Sequence, residues 1–259
     1  MTRLGLGWVA GLLAGCHRLP EAPAEFRDQC AWVFEHAWDD DPEALVAGLD
    51  RMHDWLATEW DPEADADGFV VDAPSEEAMD ALDEEDRTSA GMVGIALPTA
   101  STHAPADAAE ALMAVPQDEV FPDTFSDYER TWLSGPDCFL DRTCDRAEAM
   151  EHMVSDFGIA GTTESDAHNQ YMWGPASAGD ALVHRNWLVD PPVTTGLIPG
   201  VDQQAYLDVF LPADGGSWRV QAQWTLYEGD IPEGTAQTLV VHFFESSSEE
   251  LEAWMDAQR

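Results

Sequence analysis

Lysine is missing from this 259-residue chain: all 11 basic residues are arginines, set against 51 Asp and Glu for a net charge of −40. A field of that sign repels phosphates and anionic headgroups, which argues against nucleic-acid partners and against peripheral docking on an anionic leaflet. Such charge speaks to solubility and association, not to fold. Also missing is H-E-x-x-H, so the familiar zinc-peptidase signature is excluded, and no G-x-S-x-G nucleophile turn is present. No C-x-x-C pair with paired histidines offers a zinc cluster. No second long apolar run follows the first 16 residues, and no internal repeat is found. What is present is apolar enough to fold: hydrophobic residues make up 45%, with 11 Trp, so wholesale disorder is excluded.

The first segment carries a basic start at Arg3, an apolar run from Leu4 to Ala14 and small residues before Cys16, the three parts of a secretory signal. The run is too short to span a bilayer. Leu13-Ala14-Gly15-Cys16 resembles the lipobox of bacterial lipoproteins, which implies cleavage before Cys16 and acyl chains on that residue. The three acyl chains that this resemblance implies exceed the two signals that stable anchoring needs. In such lipoproteins the residue after the cysteine influences sorting. His17, where inner-membrane retention usually has aspartate, implies the outer membrane, with the body in the periplasm or outside. The resulting division is a signal peptide at 1–15, a lipidated tether at 16–23, an acidic and mainly helical segment at 24–115, and an α+β antiparallel-sheet domain at 116–259, the last two being either separate or one domain.

Cys16 aside, three cysteines enter an oxidising envelope. Cys138 and Cys144 in "CFLDRTC" can close a short loop, whereas Cys30 falls on an apolar helix face. A Cys138–Cys144 disulfide is expected.

Phe26, Cys30, Val33, Phe34 and Ala37 recur on one face of a helix. A second helix opens at Asp41-Pro42, with Leu45, Leu49, Met52, Leu56 and Trp60 as its stripe. Shorter helices are expected near 75–86 and 105–114. Between them, "TSAGMVGIALPTAS" reads as a buried strand or an apolar loop. Past residue 116 the period falls to 2. "ALVHRNWLV" (181–189) sets Val183, Arg185 and Trp187 on one side and Leu182, His184, Asn186 and Leu188 on the other. "AYLDVFL" (205–211), "WRVQAQWTLY" (218–227) and "QTLVVHFF" (237–244) read as further strands, with "ADGG" (213–216) as a turn. A capping box at Ser246 or Ser247 then opens a last helix striped by Leu251, Trp254 and Met255. The fold class is therefore α+β: N-terminal helices, then a curved antiparallel sheet closed by a C-terminal helix.

The stretch "ALVHRNWLVDPP…QQAYLDVFLPADGGSWRVQAQW" is similar to uncharacterised bacterial lipoproteins, a family without assigned activity. The element order also resembles the helix-grip (START-like) fold of lipid-binding and polyketide-cyclase proteins, an analogy of fold and not of function.

Four chemistries compete. In "EADADGFVVD", Glu63, Asp65, Asp67 and Gly68 take early positions of an EF-hand loop and Asp72 follows, but Pro74 stands where the bidentate Glu belongs. Weak calcium binding is weighed there against an acidic surface linker, and no other cofactor is implied. Ser177 in "GPASAG", with His168, His184, Asp166 and Asp180 nearby in sequence, is the approach to a serine hydrolase. His36 with Glu35, and His53, suggest either a metal pair between two helices or hydrogen-bonded core histidines; His242 reads as the latter. Arg185, Trp187, Tyr206 and Trp224 could line a pocket for a hydrophobic small molecule or lipid, with Arg185 orienting an acidic head, against the plainer reading of aromatic core. The leading expectation is a membrane-anchored, non-enzymatic envelope protein of structural or interaction type with an unknown protein partner. Binding of a hydrophobic ligand comes second and a hydrolase third.

Overall fold

A computed structural model describes residues 21–82, 87–114, 116–156, 161–197, 199–229 and 231–259. Cys16 and His17, on which the anchor and sorting expectations rest, lie outside them. The α+β class holds: helices pack on a large, open, curved antiparallel sheet of nine strands, and the chain ends in a C-terminal helix.

The two opening helices follow the apolar periodicity. Helix α1 (Phe26–His36) buries Phe26, Cys30, Val33 and Phe34, and α2 (Glu43–Thr58) buries Leu45, Leu49, Met52 and Leu56. Asp41 Oδ1 accepts from the Glu43 amide at 3.1 Å, satisfying one free donor of the first turn. A short strand β1 (Phe69–Val71) leads into α3 (Glu76–Asp80), where Ser75 Oγ caps the Ala78 amide. "TSAGMVGIALPTAS" contains the strand β2 (Val93–Ser101), and α4 (Pro105–Ala114) follows where the sequence predicts a helix.

Next come α5 (Gln117–Val120), β3 (Phe125–Ser134), α6 (Pro136–Leu140), β4 (Arg146–Asp156), β5 (Thr162–Ala176) and β6 (Gly179–Leu188). A two-residue strand β7 (Val193–Thr194) pairs with β5. The hairpin β8 (Val201–Ala213) and β9 (Gly216–Tyr227) turns at Asp214-Gly215, where Gly215 takes the left-handed φ of 87° that glycine adopts freely. Along the sheet the order is β1-β2-β9-β8-β6-β5-β4-β3, all pairs antiparallel. The helical N-terminal part thus supplies two strands of the same sheet, and β2 lies against β9.

One sequence expectation is corrected here. "QTLVVHFF" is not a strand, and no new helix opens at Ser246: both belong to one helix, α7 (Glu233–Ala257). Its buried side chains Ala236, Val240, Val241, Phe244, Ser247, Leu251 and Met255 recur at helical spacing, which prevails over the β-branched and aromatic content of the run. His242 is accordingly an exposed helical residue.

Each face of the sheet has its own cover. Ala205, Leu207, Val209 and Leu211 on β8, with Val220, Ala222 and Trp224 on β9, pack against α1 and α2. The opposite face holds two apolar clusters. One joins α4, α5 and α6 to Tyr171, Trp173, Leu182, Phe210 and the end of α7; the other joins Ile95 and Leu97 to Val240, Val241 and Phe244 of α7. Gly94 lets the first face close: a Cβ there would stand 2.4 Å from the Val71 carbonyl oxygen and 2.6 Å from the Trp224 ring.

Candidate functional site: a polar belt beneath the last helix

Between the two apolar clusters under α7 runs a band of buried polar side chains. Alternation aims Tyr206 and Asp208 of β8, and Arg219 and Gln221 of β9, at the helix. The Arg219 and Asp208 side chains are 3% and 1% exposed and pair through Nη2 to Oδ2 at 2.6 Å and Nε to Oδ1 at 3.0 Å. Tyr206 Oη donates to Asp208 Oδ2 at 3.3 Å and accepts from Gln221 Nε2 at 2.9 Å. Helix α7 joins through two serines: Gln221 Nε2 donates to Ser247 Oγ, and Ser248 Oγ donates to Gln221 Oε1, each at 2.9 Å. Arg219 Nη1 completes the circuit by donating to Ser248 Oγ at 3.2 Å. Burial, and then Asp208, push the Tyr206 hydroxyl pKa up, so it remains a neutral donor.

The belt continues across β6 to the far strands. His184 stacks on Tyr171, with ring centroids 4.5 Å apart and planes 7° apart, and meets Tyr206 edge-on at 5.9 Å. Tyr171 Oη donates to Glu151 Oε1 at 3.2 Å, and Arg130 Nε donates to the same oxygen at 2.7 Å. The Arg130 and Glu151 side chains are each 7% exposed. Burial first, then the charges of Arg130 and Arg219, push the His184 pKa down to about 3, so the ring is neutral at physiological pH. His184 Nε2 lies 2.8 Å from Asn169 Oδ1. Among the described residues, His184 Nδ1 and Arg130 Nη2 are buried with no hydrogen-bond partner.

The sequence-derived site residues do not converge on one pocket. Tyr206 belongs to the belt, whereas Arg185, Trp187 and Trp224 lie on the other face, under α1 and α2. Trp224 Nε1 donates to the Asp72 carbonyl at 2.7 Å. Arg185 is 8% exposed; Nε donates to Gln170 Oε1 at 2.8 Å and Nη1 to the Phe34 carbonyl at 2.6 Å. Burial lowers its pKa to about 10.

The acidic loop contains β1, and Pro74 stands where a bidentate carboxylate would close an EF-hand, so the frame is incomplete. Asp65 Oδ2 accepts from the Asp61 amide at 3.0 Å, the Glu63 amide donates to Asp61 Oδ1, and Asp72 is committed to Arg27. Among the described residues no group of three or more His, Cys, Asp or Glu is placed to hold a metal ion.

The hydrolase set is likewise scattered. Ser177 sits in the β5–β6 turn with its amide on Asp50 Oδ1, and His184 is about 17 Å further along β6 at the usual strand rise. His168 pairs with Glu148 at 2.8 Å, Asp166 with His152 at 2.9 Å, and Asp180 with Arg142 at 3.2 Å. His36 Nδ1 meets Asp39 at 2.7 Å, Glu35 accepts from the Ser75 amide, and His53 rests on Trp218, so no metal pair forms between the helices. The disulfide between Cys138 and Cys144 is present, with Cα atoms 5.3 Å apart.

The belt itself is half legible in the sequence. Period 2 puts His184 opposite Arg185, but Arg130, Glu151 and Tyr171 lie on strands whose alternation is mixed with Ala, Asp and Glu. Ser247 reads as a helix start when it lies in the middle of α7.

No protein-family model matches the chain, and no curated protein matches it. Among solved structures, a protein from Thermus thermophilus aligns at 16% identity and a TM-score of 0.43, over 64% of this chain and 98% of its own. A STAR-related lipid transfer protein fragment from Xanthomonas axonopodis aligns at 14% identity and 0.44, over 66% and 96%. The lipid transfer and protein localization domain of human StarD13 aligns at 11% identity and 0.38, over 62% and 75%. With TM-scores below 0.5, these likenesses assign neither a family nor a ligand to the chain.

Proposed function

We propose that this chain is a lipoprotein of the cell envelope, held in the outer membrane by acyl chains on Cys16, whose body binds a hydrophobic small molecule with a polar group between the sheet and α7. The observation that carries the ligand reading is the polar belt. A structural protein needs only an apolar seam under α7, and the face under α1 and α2 is largely of that kind. On the face that α4 and α7 cover, by contrast, two buried ion pairs stand among the apolar clusters: Arg219–Asp208, tied to α7 through Ser248, and Arg130–Glu151, tied to α4 through the Met113 carbonyl. Buried pairs of this type are often no more stabilising than apolar residues of similar volume. Apolar walls interrupted by a few convergent polar groups are the usual lining of a small-molecule site. This ranks ligand binding above a purely structural role.

The test is native mass spectrometry of the full chain carrying Cys16→Ser, which removes the acylation site. A bound mass that denaturation releases into organic extract is the expected result. A bare chain that takes up no added amphiphile overturns the ligand reading. Labelled palmitate tests the anchor separately, entering the wild-type chain and not Cys16→Ser.

A further inference from the structure

We propose that His184 Nδ1 accepts a hydrogen bond from a hydroxyl group of the ligand, so that the site beneath α7 selects neutral alcohols over otherwise matched molecules that lack the donor. This rests on the ligand-binding reading above and specifies the ligand's polar group.

The direction of the bond follows from the neighbours of the ring. Asn169 Nδ2 is turned to the Ala167 carbonyl, 3.4 Å away, which places Oδ1 against His184 Nε2 at 2.8 Å. An oxygen acceptor there requires the proton on Nε2. Nδ1 is then a bare lone pair, and it is buried without a partner. His184 is 7% exposed and fixed by the Tyr171 stack, so the ring cannot turn Nδ1 to solvent without breaking both contacts. An unmet buried acceptor is costly, and a donor that reaches it gains correspondingly.

The charges around it decide what kind of donor fits. The strand order places Arg219 on one flank of His184 and Arg130 on the other. Both guanidiniums are buried, and their positive field disfavours an ammonium donor. A carboxylate or phosphate has no proton to give the lone pair. A neutral hydroxyl satisfies both conditions. Its apolar carrier would meet Tyr171, Tyr206, Phe210 and Phe244, which belong to the clusters on either side of the belt. Arg130 Nη2, unpartnered on the same face, offers a donor to an acceptor elsewhere on the molecule.

Equilibrium dialysis of the full-length Cys16→Ser chain against dodecan-1-ol and dodecyl methyl ether compares one alkyl chain with and without the donor. The wild-type site is expected to hold the alcohol about tenfold more tightly. His184→Phe keeps the ring stack and loses the acceptor, so the alcohol should fall to the affinity of the ether. His184→Gln retains an acceptor and should keep part of the preference; it decides the matter if the Phe variant does not fold. Equal binding of the two probes by the wild type overturns the proposal, because Nδ1 is then met by water or left unused. A preference that survives His184→Phe overturns it as well. Failure of both probes to bind overturns the ligand reading itself, a result distinct from equal binding.

Discussion

Two buried arginines on opposite faces of the sheet are held in different ways. Arg219 meets a carboxylate, Asp208, in a bidentate arrangement, whereas Arg185 has only amide and carbonyl acceptors and its pKa falls to about 10. Charge compensation therefore lies on the face that α4 and α7 cover, and so does His184, whose neutral state makes a prediction about pH. The folded-state pKa is about 3 and the unfolded value about 6.5. Between these limits the unfolded chain binds the extra proton, so stability is lost as pH falls through the unfolded value towards the folded one. From pH 7 to pH 5 this single group should cost about 2 kcal/mol. Urea midpoints at the two pH values, for wild type and His184→Phe, isolate it from the carboxylates that titrate in both. The wild type should lose about 2 kcal/mol more than the variant. Parallel losses would show that the ring is not held neutral by its surroundings.

At the scale of elements, the Cys138–Cys144 bridge closes α6 and the turn after it, where Arg142 adopts a left-handed φ of 58° and its guanidinium lies over the Trp173 ring at 3.1 Å. A loop this short should contribute about 2 kcal/mol on the chain-entropy account. Replacing both cysteines by serine should lower the melting temperature by about 4–8 °C for a chain of this size. Cys30→Ser tests a buried thiol in the α1 core, and its effect should persist in reducing buffer, whereas the effect of the double replacement should vanish there. This loop is readable in the sequence because two cysteines six apart can reach each other across a short turn. Helices α1, α2 and α4 are readable for a different reason: one face of each is buried, so the burial period is written into the residues. Strands β6, β8 and β9 alternate cleanly because both of their faces are packed by different kinds of residue. The reading fails on β4, where Arg146 to Asp156 is rich in Ala, Glu and Met, residues that favour a helix when alone. Pairing with β3 and β5 overrides that preference. It fails in the opposite sense on α7, whose Leu-Val-Val and Phe-Phe runs carry strand propensity into a helix. The division of the four pocket residues between the two faces is hidden from the sequence at the same level. Aromatic content cannot say which face of a sheet a helix will cover, and Trp187 and Trp224 lie under α1 and α2 while Tyr206 lies under α7.

For the whole molecule the dominant fact is the charge of −40, with 51 acidic residues behind it. The Arg130, Arg185 and Arg219 side chains are each under 9% exposed and do not offset the surface carboxylates, whereas Arg27, Arg51 and Arg259 remain exposed among them. Compacting a chain of one sign works against self-repulsion, and salt relieves that cost by shortening the Debye length. Raising NaCl from about 20 mM to about 0.5 M should therefore raise the melting temperature by about 5 °C or more. Potassium chloride at the same ionic strength should match sodium chloride, because screening does not distinguish the two cations. Calcium provides the contrast. Asp72 is held by Arg27, Asp65 by the Asp61 amide, and Glu63 and Asp67 are not gathered with them into a metal-holding group. In a background of about 0.2 M NaCl, about 1 mM calcium should move the melting temperature by less than about 1 °C. A larger rise, reversed by chelator, would mean that the acidic loop gathers into a site on binding the ion. Equal responses to all three salts at matched screening would assign the acidity to the surface as a whole.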